Sequence, residues 1–125
     1  MPVTNYKDLK VWQSSIDFAK LIYVLTEKFP EYEKFGLTSQ INRAAISIPS
    51  NIAEGHARDS RKKFLRFLSY STGSLAEVET QLILAKELQF ISENELNSVT
   101  LKSDEIGKML RGLQKYIQNE LLPKN

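Results

Sequence analysis

Residues 60–89 read SRKKFLRFLSYSTGSLAEVETQLILAKELQ, and the spacing within this stretch decides the fold. Phe64, Leu68, Ser71, Leu75, Val78, Leu82 and Ala85 follow one another at alternating steps of four and three. Side chains at those separations share one face of a helix, whereas a strand would repeat every second residue. The pattern is a heptad-like seam, which packs helices at about 20° to one another. Asp59-Ser60 supplies a fresh N-cap, because a short oxygen-bearing side chain accepts from free backbone N–H groups. The spacing predicts a helix over 60–89, on the order of 45 Å long at 1.5 Å per residue. Gly73 lies in its middle, at about 1 kcal/mol relative to alanine. It either admits a close helix contact or is simply tolerated.

The neighbouring segments read the same way. Ser92-Glu93-Asn94-Glu95 is a capping box, in which Ser92 and Glu95 satisfy each other's backbone donors. It opens a fourth helix over 93–122 with the stripe Leu96, Val99, Ser103, Ile106, Leu110, Leu113, Ile117 and Leu121, and Pro123 follows its end. Upstream, a second helix over 38–57 opens at Thr38 or Ser39 and carries Leu37, Ile41, Ala44 with Ala45, Ile48 and Ile52. Pro49 interrupts it. A proline there removes one hydrogen bond and clashes with the preceding turn, so this helix is expected to kink. Alternatively, one helix ends at Ile48 and another starts with Pro49 in its first turn. Gly55 marks its C-terminal region.

The first helix is expected over 7–28, with the stripe Leu9, Trp12, Ile16, Ala19, Tyr23 and Thr26, ended by Phe29-Pro30. Gly36, in the loop that follows, is free to take a positive φ. No alternating strand and no internal repeat is found. The reading is all-α: a single domain over 1–125, an up-down-up-down antiparallel four-helix bundle with its second helix kinked or broken near Pro49.

Composition narrows the chemistry. The chain has 125 residues, 42% hydrophobic and 26% charged, enough for one core without metal or disulfide staples. The absence of cysteine excludes disulfides, thiolate metal sites and cysteine nucleophiles. Neither a signal-like apolar run at the start nor 18 consecutive apolar residues is found, so a soluble cytoplasmic protein is expected. His56 is the one histidine. Near Glu54, Asp59 and Ser60 it is the sole candidate for a base beside a nucleophile, but nothing resembles a nucleophile turn or an oxyanion loop. Glu54 and His56, like Glu77 and Glu79, are two residues apart and diverge on a helix, so no metal site is supported. The five glycines are scattered, so no phosphate loop is present. No enzyme activity, cofactor, metal or small-molecule substrate is expected.

Some apolar residues fall off the stripes: Phe18, Ile22 and Leu25; Leu65 and Phe67; Ile83, Leu84 and Phe90. They either widen the core of one bundle or form a self-association surface. Charge is also uneven. The net charge is +2, and residues 60–90 hold all of it, with five basic and three acidic side chains. Arg58, Arg61, Lys62, Lys63 and Arg66 crowd nine positions against Asp59 alone. Such a cluster suits phosphate contacts, or it is a solvated face. It sits at a helix N-terminus, where the dipole disfavours positive charge.

A longer motif lies in helix two: Gly36-Leu37-Thr38-Ser39-Gln40-Ile41-Asn42-Arg43-Ala44-Ala45-Ile46-Ser47-Ile48-Pro49-Ser50-Asn51-Ile52-Ala53-Glu54-Gly55. Leu9-Lys10-Val11-Trp12 and Phe29-Pro30 precede it, and Gly73-Ser74-Leu75-Ala76-Glu77 follows. Together these resemble the four-helix-bundle family of 23S rRNA intervening-sequence proteins, from about Leu9 to Leu113. A more distant relative is the accessory variability protein of diversity-generating retroelements, which binds nucleic acid and a reverse transcriptase through a strongly basic barrel. The resemblance implies a homopentameric ring of up-down-up-down bundles. Family members are often encoded within inserts in bacterial large-subunit rRNA genes. This chain departs from the distant relative in its nearly balanced charge, and Asn42 stands where a basic residue is expected beside Arg43.

Gln40, Arg43, Ser47, Asn51 and Glu54 are the polar positions of the motif. Arg43, Ser47, Asn51 and Glu54 line one side of the helix and form either a partner or nucleic-acid surface, or, through Arg43, Asn51 and Glu54, a brace around Pro49 where a polar side chain satisfies the carbonyl freed near Ala45, or part of a subunit contact. The function expected is a non-enzymatic, oligomeric interaction module whose partner is RNA or a protein. The alternative is a structural or protein-binding assembly with no nucleic-acid role.

Overall fold

The computed structural model describes residues 5–121. Asn5 accepts from the backbone N–H of Lys7 at 2.9 Å and starts a 3-10 turn, Tyr6–Asp8. Four helices follow: α1 (Lys10–Thr26), α2 (Leu37–Ala57), α3 (Arg61–Glu87) and α4 (Glu93–Glu120), with a second 3-10 turn, Glu31–Glu33, between α1 and α2. Helix α1 packs on α2, α2 on α3, α3 on α4, and α4 closes the ring against α1. The α2–α3 interface is the most extensive and the α1–α4 interface the slightest. The fold is thus an all-α four-helix bundle. The expected end of helix four at Leu122-Pro123 lies outside the described residues.

The helix ends follow local chemistry. Ser60 caps α3 by accepting from Lys63 N–H at 3.2 Å. Ser92 and Glu95 form the expected capping box at α4, with bonds of 3.1 and 2.8 Å. Helix α2 departs from expectation: it starts at Leu37, and neither Thr38 nor Ser39 caps it. The Glu33 carboxylate, reaching from the preceding turn, accepts from Leu37 N–H at 3.0 Å instead. Gly36 makes this reach feasible without a positive φ, its φ being −110°. A Cβ there would sit 2.6 Å from Glu33 Oε1. The one positive φ among the described residues is that of Gln89, at 65°. It ends α3 in a Schellman turn, with Phe90 N–H donating to Ala85 O at 2.8 Å and Gln89 N–H to Lys86 O at 2.9 Å.

The expected stripes of α2 and α3 are buried throughout, as are Val99, Ser103, Ile106, Leu110 and Ile117 of α4. Helix α1 is turned relative to expectation. Its core face is Val11, Ser15, Phe18, Ile22, Leu25 and Thr26, while Tyr23 is exposed and Trp12, Ile16 and Ala19 are only half-buried. Phe18, Ile22 and Leu25 therefore belong to the core and are not surplus. Ile83 and Leu84 do remain exposed, with Val24, Phe35 and Leu101.

Pro49 does not break α2, which is one helix with this proline buried inside it. Side chains reach carbonyls on the turn around it, though not that of Ala45. Asn51 Nδ2 donates to Ser47 O at 2.8 Å, and Ser71 Oγ, from α3, to Ile48 O at 2.8 Å. The helices approach closely at Gly55, where a Cβ would lie 2.6 Å from Phe67 Cβ. Gly73 faces open space, with no atom within 4 Å of such a Cβ, so no helix contact requires it.

Candidate nucleic-acid interface

The connection from α2 to α3 is three residues long, Arg58 to Ser60, and sets the geometry of the basic cluster. Extended backbone at Arg58 and Ser60 turns the chain sharply. Arg58 leaves α2 beside α3, and its guanidinium carbon lies 5.0 Å from the centroid of the Phe67 ring. Arg61 pairs with Glu120 of α4 at 3.1 Å. Lys62, Lys63 and Arg66 are exposed, and neither they nor Arg58 forms an ion pair among the described residues. No acidic residue occupies the first turn of α3, so the helix dipole adds to the positive field there.

A cavity of about 400 Å³ opens at this turn, lined by His56, Arg58, Asp59, Ser60, Arg61 and Phe64. His56, Asp59 and Ser60 are thus brought together, but the Ser60 hydroxyl is committed to capping α3. The His56 ring packs edge-on against Phe64, 5.6 Å between centroids. Among the described residues no group of three or more His, Asp or Glu side chains is placed to hold a metal ion. Among the described residues no helix is long and apolar enough to cross a membrane.

The motif positions of α2 lie along its edge with α3 and divide into two sets. Gln40, Arg43 and Ser47 line a cavity of about 420 Å³ that also takes in Phe35 and, from α3, Glu77. Ser47 Oγ donates to Arg43 O at 3.0 Å. Asn51 and Glu54 are not among that cavity's lining residues. Asn51 bonds within its own helix, and among the described residues no side-chain hydrogen bond of Arg43 or Glu54 braces the turn at Pro49. Behind the cavity wall, Gln81 Nε2 donates to Gln40 Oε1 at 3.3 Å and to Glu77 Oε2 at 3.4 Å. Glu77 and Gln81 were not expected as part of this group. Glu77 closes the Gly73–Glu77 stretch of the family resemblance, but its link to Gln81 is only a four-residue spacing on α3, which has meaning only once α3 lies beside Gln40 and Arg43.

A four-helix bundle with a polar seam along one helix pair and a basic turn at its end is a class of scaffold rather than one protein. A family model described as 23S rRNA-intervening sequence protein matches residues 7–112. The chain belongs to that family. A crystal structure of a protein of unknown function from the S23 ribosomal protein family of Bacteroides thetaiotaomicron is similar, with 30% sequence identity and a TM-score of 0.75. The match covers 84% of this chain and 98% of that one. A search of curated proteins gave no match.

Proposed function

We propose that this protein is a non-enzymatic, oligomeric helical-bundle module that contacts RNA, or a nucleoprotein, through Arg58, Arg61, Lys62, Lys63 and Arg66. The observation that carries the reading is the end of the bundle at the α2–α3 turn. Five cations gather there, and among the described residues only Arg61 is engaged by a carboxylate. Such a patch would neutralise backbone phosphates and release the counterions condensed on the RNA. Exposed Val24, Phe35, Ile83, Leu84 and Leu101 support self-association, and a homopentameric ring would bring five basic turns into one assembly. Cytoplasmic residence is part of the same proposal.

Fluorescence anisotropy with labelled single-stranded RNA at 50 and 200 mM salt tests the RNA contact. Binding that weakens with salt, and weakens further in Lys62→Ala plus Lys63→Ala, supports it. No binding at micromolar protein and low salt overturns it. Light scattering behind size exclusion tests the ring, and a 14.3 kDa species would overturn it. The near-balance of charge, +2 over the chain, favours a second reading as a protein-binding assembly without nucleic acid. That reading predicts the oligomer with no RNA affinity.

A further inference from the structure

We propose that the cavity between α2 and α3 at Arg43 and Glu77 receives one unpaired guanine of a single RNA strand. This rests on the RNA reading above and names what the strand presents. The cavity holds about 420 Å³, within the usual range for small planar ligands. Its walls carry opposite charges that do not meet. Neither Arg43 nor Glu77 forms an ion pair among the described residues, although both line the same space. A phosphate alone would suit Arg43 and be repelled by Glu77. A neutral group with two acceptors on one edge and two donors on another suits both.

Guanine has those edges. Its O6 and N7 are adjacent acceptors for an arginine fork, and its N1–H and N2 amine are adjacent donors for a carboxylate. Adenine presents Glu77 with an acceptor beside its single amine, so it loses half of that contact. Gln81 holds Gln40 and Glu77 in place from behind through its amide nitrogen. The Oε1 of Gln81 is buried without a hydrogen-bond partner, the one such side-chain atom among the described residues. Buried polar atoms are nearly all paired, so the exception marks this cluster as short of a donor.

The surroundings suit a strand. Phe35, 91% exposed at the rim, offers a ring face for a neighbouring base. From Glu77 the α3 edge runs through Tyr70 and Phe67 to Lys63, and the two rings lie 5.3 Å apart. Arg58 covers Phe67, so the edge ends in the basic cluster. Arg43 and Arg58 are separated by about 22 Å at 1.5 Å per helical residue. A strand of the roughly 4–16 nucleotides that such surfaces hold can span that distance.

The test compares two labelled 12-residue oligouridylates, one with a central guanine and one with a central adenine, by anisotropy at fixed salt. The full chain is expected to favour the guanine strand by about tenfold. Arg43→Ala and Glu77→Gln should each erase the preference, while Lys62→Ala plus Lys63→Ala should weaken both strands together. Circular dichroism melting of each variant checks that the bundle is intact. Equal affinity of the full chain for both strands overturns the guanine pocket and leaves the RNA reading standing. Preference that survives Arg43→Ala also overturns the pocket. Failure to bind either strand overturns both.

Discussion

Ser71 Oγ on α3 donates to the backbone carbonyl of Ile48 on α2 across 2.8 Å, and both residues are fully buried. This polar link lies inside the largest helix interface, at the carbonyl that immediately precedes Pro49. Serine at a seam position otherwise occupied by Phe, Leu, Val and Ala is explained by it. Ser71→Ala should lower unfolding stability by about 1 kcal/mol, the net worth of a buried hydrogen bond. Urea unfolding measures this. Thr72→Ala is the control: among the described residues its hydroxyl bonds only to Leu68 O of its own helix, at 3.1 Å, and the change should cost less.

Two glycines should respond to alanine with opposite signs. At Gly55 the new Cβ would meet Phe67 Cβ at 2.6 Å and the Phe64 ring at 3.0 Å, so α2 and α3 must separate. Gly55→Ala should cost about 1–3 kcal/mol. Gly73 has no neighbour to clash with, and Gly73→Ala should gain up to about 1 kcal/mol through helix propensity. Thermal melts of the two variants on either side of the parent settle the comparison.

The Schellman turn after α3 is built on a residue with a Cβ. Gln89 holds φ at 65°, a conformation that burdens any L side chain and leaves glycine unburdened. Gln89→Gly should therefore raise stability by about 1 kcal/mol in the same unfolding assay. A loss instead would mean that the Gln89 side chain contributes more than its backbone costs.

Acid should loosen the join between α1 and α4. The Lys28 ammonium, together with Ser92 N–H, holds the Glu95 carboxyl below its ordinary value of 4.5. The folded state therefore binds this proton less readily than the unfolded chain. The contribution is present above pH 4.5 and is lost as pH falls through the lowered folded value. Both side chains reach solvent, so the effect is small and shrinks with salt. Glu95→Gln should flatten the acid limb of a stability-against-pH curve at low ionic strength.

The sequence made some elements legible and misplaced others for identifiable reasons. The face of α3 could be read directly because Phe64 to Ala85 keep one unbroken seam at steps of four and three, even with Leu65, Phe67, Ile83 and Leu84 lying off it. The capping box was equally plain, since Ser92 and Glu95 act within one turn. Helix α1 is apolar on several sides, so Leu9–Trp12–Ile16 and Val11–Ser15–Phe18 are both regular series. Only the packing of α2 and α4 selects the second. Ser15 belongs to that core face because its hydroxyl turns back onto Val11 O at 2.6 Å. The α2 cap has no local sequence signature because Glu33 supplies it from outside the helix. At the seam, Gln40, Arg43 and Ser47 were singled out by sequence, whereas Glu77 entered the group only through tertiary proximity.

The unequal interfaces give the bundle a spine and a cover. Helix α2 is held on both flanks, by α1 and by α3, while the seam between α1 and α4 is slight. A cleft of about 300 Å³ runs into that seam between Phe18 and Leu21 on one side and Ile106 on the other. Small openings of the molecule should begin there, because little apolar area is uncovered when α1 and α4 part. The polar edge of α2 and α3 lies on the spine. Whatever binds along it meets a surface that stays fixed while the far side of the bundle breathes.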